Sequence, residues 1–153
     1  MASDDERNET EAEREDRKWD DMLQELRVIQ TGAQLTGGFL LTLPFQQRFA
    51  GLTDLQEAVY LGLVVLAALV VAQVLTPIAI HRRLSGEHVK GKLVSSAHLA
   101  MQAVLVSLSV LVVGTTTFIF DVVVDGPAAL VVGAALGLVL VVLLVVVPRR
   151  LVS

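Results

Sequence analysis

The chain has 153 residues, 54% of them hydrophobic, a formal charge of −4 and no cysteine. Without cysteine there is no disulfide framework, no thiolate nucleophile and no Cys-ligated metal. Eleven acids against five bases lie in the first 27 residues, so the remainder is slightly basic and strongly apolar.

Four stretches lack Asp, Glu, Lys and Arg altogether: residues 28–45, 58–80, 97–120 and 128–147. Each approaches the roughly 20 residues that a helix needs to cross about 30 Å of hydrocarbon. A water-soluble helix keeps a polar face, whereas residues 136–147 are apolar all round. Barrel strands of about ten residues alternate apolar with polar side chains, which the valine-rich last two stretches do not. The expected fold is therefore all-α: a polytopic membrane protein with four transmembrane helices in an up-down bundle, preceded by a short N-terminal amphipathic helix.

In chain order, residues 1–18 (MASDDERNETEAEREDRK) are acidic and hold no run that can pack, which predicts a disordered tail or a fraying solvated helix. The membrane domain then covers residues 19–150. Trp19, Met22, Leu23 and Leu26 follow helical spacing and predict an amphipathic entry at headgroup level, with Trp19 as an interfacial anchor. The first span carries Gly37 and Gly38 near its middle, where a neighbouring backbone can approach closely, and ends at Pro44 or Phe45. Thr53 and Gln56 have the spacing of a capping box, which starts the second helix. That helix has Gln73, Thr76 and Pro77 near its far end, a proline position that predicts a mild kink. A basic loop leads to Lys92. The third span opens with Ser95, Ser96, His98 and Gln102; residues 121–127 form a tight hairpin, with Pro127 at the first position of helix four. Ala129, Gly133 and Gly137 recur at steps of four on that helix, and Pro148 ends it.

Lys and Arg divide eleven to one between the alternate sides of the four spans. Basic flanks stay cytoplasmic, so both termini and the central loop are expected inside the cytoplasmic membrane, with the hairpins at 46–57 and 121–127 outside.

The first span is oddly polar. Gln24, Arg27, Thr31, Gln34 and Gly38 are spaced three, four, three and four, which places them on one helix face. With this orientation Arg27, Gln30, Thr31, Gln34, Gln73, Thr76, His98 and Gln102 all fall in the cytoplasmic half, and a polar cluster shared by three helices is expected there. Two roles compete for it. Amides and hydroxyls can fix helix register by interhelical hydrogen bonds. Alternatively, they line a cytoplasm-facing cavity that binds an anion or small polar solute, or a proton path through His98. Against a coupled pump, no Asp or Glu lies inside any span.

No catalytic residue, metal site or cofactor is implied. His81, His88 and His98 lack metal-ligand spacing, and Ser95 beside His98 has no orienting acid. Asp121 and Asp125 on the outer hairpin read as a solvated turn. No phosphate loop or nucleic-acid motif is present.

The segments LQELRVIQTGAQ (residues 23–34) and FLLTLPFQQRF (residues 39–49), with Tyr60 and TPIAIHR (residues 76–82), resemble a family of small four-span membrane proteins, common in actinobacteria and of unknown function. The resemblance covers residues 19–120. It implies this topology and carries over no catalytic residues. The expected function is that of a structural or interaction component of the cytoplasmic membrane, not an enzyme. Its surroundings are the lipid bilayer and a second copy of the chain docked through the Gly133 and Gly137 face; no protein partner can be named. The alternative is a small channel or transporter-like protein using the polar cluster.

Overall fold

The computed structural model of the chain describes residues 11–84, 90–124 and 126–152, with side chains over 20–76, 100–124 and 126–151 and at 13, 14 and 17. Residues 1–10 of the tail expected at 1–18, and the side chains of Trp19, His81, His88, Ser95, Ser96, His98 and Asp125, lie outside the described residues. All described regular structure is helical: α1 (Glu11–Thr42), two 3₁₀ turns (Leu43–Phe45 and Gln47–Gly51), α2 (Asp54–Leu84), α3 (Lys90–Val123) and α4 (Gly126–Val141), which passes through a π-helical turn (Val142–Val146) into α5 (Val147–Val152).

Helix α1 is one piece of 32 residues, with no break at Trp19. Its first two turns are rich in Glu and Arg, good helix formers. It stops at Thr42, earlier than the expected 45, because Pro44 disfavours α geometry in the residue before it and offers no N–H. The Thr42 hydroxyl bonds back to the carbonyl of Phe39 at 2.7 Å. The capping box forms at the start of α2: Thr53 N–H donates to Gln56 Oε1 at 3.0 Å and Gln56 N–H to Thr53 Oγ1 at 3.3 Å.

Three boundaries differ from expectation. The expected basic loop to Lys92 is helical at both of its ends, since α2 persists through Pro77 to Leu84 and α3 starts at Lys90. At its other end α3 continues to Val123, so Asp121 is helical. Pro148 does not end the last helix. Just before it the chain widens to π geometry, with Val147 N–H bonded to the carbonyl of Val142; a wider turn gives the proline ring room that an α turn denies it.

Consecutive helices pack antiparallel. Gly37 of α1 lies against Ala67 of α2, Gly114 of α3 against Leu63, and Gly133 of α4 against Thr117. The core is made by seams at heptad-like spacing: Leu26, Ala33 and Leu40 on α1; Tyr60, Leu63, Ala67, Val70 and Val74 on α2; Val104, Leu111 and Phe118 on α3. Helix α1 also touches α3, whereas among the described residues α4 touches α3 but neither α1 nor α2. Within the expected up-down arrangement, three helices share one seam and α4 leans on α3 from outside.

Among the described residues three helical stretches are long and apolar enough to cross a membrane, Asp54–Thr76, Ala100–Val123 and Gly126–Leu151. Helix α1 is not among them, because Gln30, Thr31, Gln34 and Thr36 dilute the short charge-free stretch left once the helix ends at Thr42. The most apolar part of the third stretch is 0% buried in the protein, leaving a surface suited to lipid.

Candidate functional site

The heptad seam of α1 decides where its polar residues go. With Leu26, Ala33 and Leu40 buried against α2, the residues on the opposite side must point away from the protein. Gln24, Arg27, Thr31, Gln34 and Gly38 are all exposed. The Thr31 hydroxyl is satisfied by the carbonyl of Arg27 at 2.9 Å, as threonines in helices commonly are. The amides of Gln24 and Gln34 have no such local acceptor.

The other members of the expected cluster lie elsewhere. Gln30 and Gln73 are half-buried at the packed side of α1 and α2, and Gln73 Oε1 is enclosed without a hydrogen-bond partner. Thr76 is exposed and bonds back to the carbonyl of Ala72 at 3.2 Å. Gln102 stands at the far side of the molecule, at one end of an apolar groove of about 690 Å³ between α3 and α4 that is also lined by Val106, Ser109, Val113, Gly137 and Val141. The side chain of His98 is outside the described residues. The described residues expected at one depth are therefore spread over three faces.

The small residues divide likewise. A Cβ on Gly37 would meet Ala67 at 3.4 Å, and one on Gly133 would collide with Thr117 Oγ1. Those two glycines hold helices together within one chain. Nothing lies within 4 Å of a Cβ on Gly38 or Gly137, so both are open.

The best-connected polar site was not legible as such. Gln56, whose Oε1 caps α2, donates through Nε2 to Asp121 Oδ2 at 2.8 Å. Beside it Arg48 donates to the carbonyl of Val122 at 3.4 Å, and the buried Tyr60 hydroxyl donates to the carbonyl of Leu40 at 3.1 Å. The Tyr60 ring meets Phe49 edge-on at 4.9 Å and Phe118 at 6.1 Å. This network ties one end of α1, α2 and α3 together. In sequence Gln56 signalled only a cap, and its second partner is 65 positions away. Among the described residues no three metal-ligating side chains converge.

These features define a class: an all-α protein with apolar helices of membrane-crossing length and a polar helix packed beside them. The chain belongs to DUF6328, a family of unknown function, whose profile matches residues 8–148. No curated protein and no solved structure matches it.

Proposed function

We propose that the chain is a four-span protein of the cytoplasmic membrane with both termini cytoplasmic, and that it serves as a non-enzymatic interaction component whose docking face is the polar stripe of α1. One observation carries this reading: α1 buries its apolar seam along α2 while its polar stripe faces out. Leu40 lies beside Tyr60 and Gly37 beside Ala67, both within the Asp54–Thr76 stretch. If that stretch crosses the bilayer, α1 from Leu26 to Leu40 accompanies it, and Gln34, one turn from Gly37, sits near mid-depth. An amide facing lipid there costs several kcal/mol. A partner helix removes that cost.

The alternative, a channel or transporter-like protein, requires the polar residues to share a cavity wall, and Gln34, Gln73 and Gln102 stand on different faces. Reporter fusions test the topology, with activity expected only from cytoplasmic reporters at both ends. A photo-crosslinker placed at position 34 tests the docking face: it should capture protein, and capture of lipid alone would refute the reading.

A further inference from the structure

The surface to be covered has a repeat of its own. Asp20, Gln24, Arg27, Thr31, Gln34 and Gly38 alternate steps of four and three along α1, and all are exposed. Steps of three and four are the seam positions of a two-stranded left-handed coiled coil. Helix α1 thus carries two seams: an inner one of Leu26, Ala33 and Leu40, filled by its own chain, and an outer one that is exposed.

Building on the docking role proposed for this face, we infer that the occupant of the outer seam is the α1 helix of a second copy of this chain, in a parallel two-fold pair. Two copies inserted in the same orientation present α1 to one another in parallel, and a two-fold axis brings each seam residue opposite its own equivalent. The residues suit that geometry. A glutamine amide has two N–H donors and an accepting oxygen, so Gln34 pairs reciprocally with Gln34 of the second copy without any other residue type being supplied. Thr31 already donates to the carbonyl of Arg27, yet its oxygen keeps lone pairs that can accept from the facing amide. Gly38, with nothing within 4 Å of a Cβ, lets the two backbones approach one turn beyond Gln34. Arg27, two turns nearer the N-terminus, is long enough to carry its guanidinium to the headgroups, away from its equivalent.

This places self-association on α1. Of the Gly133 and Gly137 face expected to mediate it, Gly133 is occupied by Thr117 of the same chain and Gly137 is open.

The native chain has no cysteine, so single-cysteine variants report contacts directly. Thr31→Cys and Gly38→Cys, oxidised in native membranes, should give a disulfide-linked species of twice the monomer mass, while Val65→Cys, exposed at similar depth on α2, should not. Adding Gln34→Leu should lower the dimer yield by about three- to thirtyfold, the effect of losing one interhelical polar contact, and Gln34→Asn should retain most of it. Equal cross-linking at positions 31, 38 and 65 would overturn the inference. So would a position-34 photo-adduct whose mass is the monomer plus a different protein, which leaves the docking role standing; lipid-only capture there ends both.

Discussion

Gln56 Nε2 donates a hydrogen bond of 2.8 Å to Asp121 Oδ2, linking the first turn of α2 to the last turn of α3. A carboxylate near a helix C-terminus opposes the helix dipole, so Asp121 is better placed with this donor than without it. Truncation of Gln56 removes the contact and the reciprocal cap on Thr53 together. Gln56→Ala should destabilise the protein by about 1–3 kcal/mol, read as a lower melting temperature in mild detergent. In a double-mutant cycle with Asp121→Ala the two changes should be less than additive; strict additivity would mean that the contact contributes nothing.

Tyr60 joins all three helices of the core. Tyr60→Phe keeps the ring against Phe49 and Phe118 and removes only the bond to the Leu40 carbonyl, so about 1 kcal/mol should be lost. Tyr60→Ala should cost about 3–5 kcal/mol, as other buried aromatic truncations do. Comparison of the two melting curves separates the hydroxyl from the ring, and equal losses would show that the hydroxyl dominates.

Two glycines of α4 make a matched pair. Gly133→Ala drives a methyl into the Thr117 hydroxyl and should destabilise by about 1–3 kcal/mol, with part of the loss recovered in Gly133→Ala, Thr117→Ala, where the colliding hydroxyl is removed. Gly137→Ala projects into the open groove and should be neutral or slightly stabilising through helix propensity. Thermal unfolding of both variants checks this, and a larger loss at Gly137 than at Gly133 would contradict the packing.

Gln73 and Thr115 each bury a side-chain oxygen that has no hydrogen-bond partner. Their neighbours differ in this respect, since the hydroxyls of Ser109, Thr116 and Thr117 all bond to carbonyls four residues back. An unsatisfied buried polar group costs about 1–3 kcal/mol. Gln73→Leu and Thr115→Val should therefore be neutral or stabilising in detergent melts. A marked loss in Gln73→Leu would reveal a partner for its amide.

Much of the helical layout was readable because it depends on local chemistry. The Thr53 and Gln56 box acts over three residues, the end of α1 is set by Pro44, and the valine-rich stretches announce length and apolarity directly. The exceptions have local causes too: the π turn at Val142–Val146 accommodates Pro148, an adjustment that residue types do not announce. The proposed site was half readable. The spacing of Gln24, Arg27, Thr31, Gln34 and Gly38 puts them on one face, but periodicity does not say which way a face points when its opposite side also carries a seam.

By itself the sequence determined an all-α chain of apolar helices, the start of α2, and one helix much more polar than the rest, since periodicity, capping and hydropathy are properties of neighbouring residues. Only the tertiary structure decided that Leu26, Ala33 and Leu40 take the inner side of α1 and leave Gln34 outside, that Gly133 is filled by Thr117, that α4 among the described residues leans on α3 without touching α1 or α2, and that Gln56 finds Asp121. The physical reason is common to all four. A helix face that can be buried competes with every other such face in the chain, and the winner depends on how side chains from distant segments fit together, which no window of neighbouring residues contains.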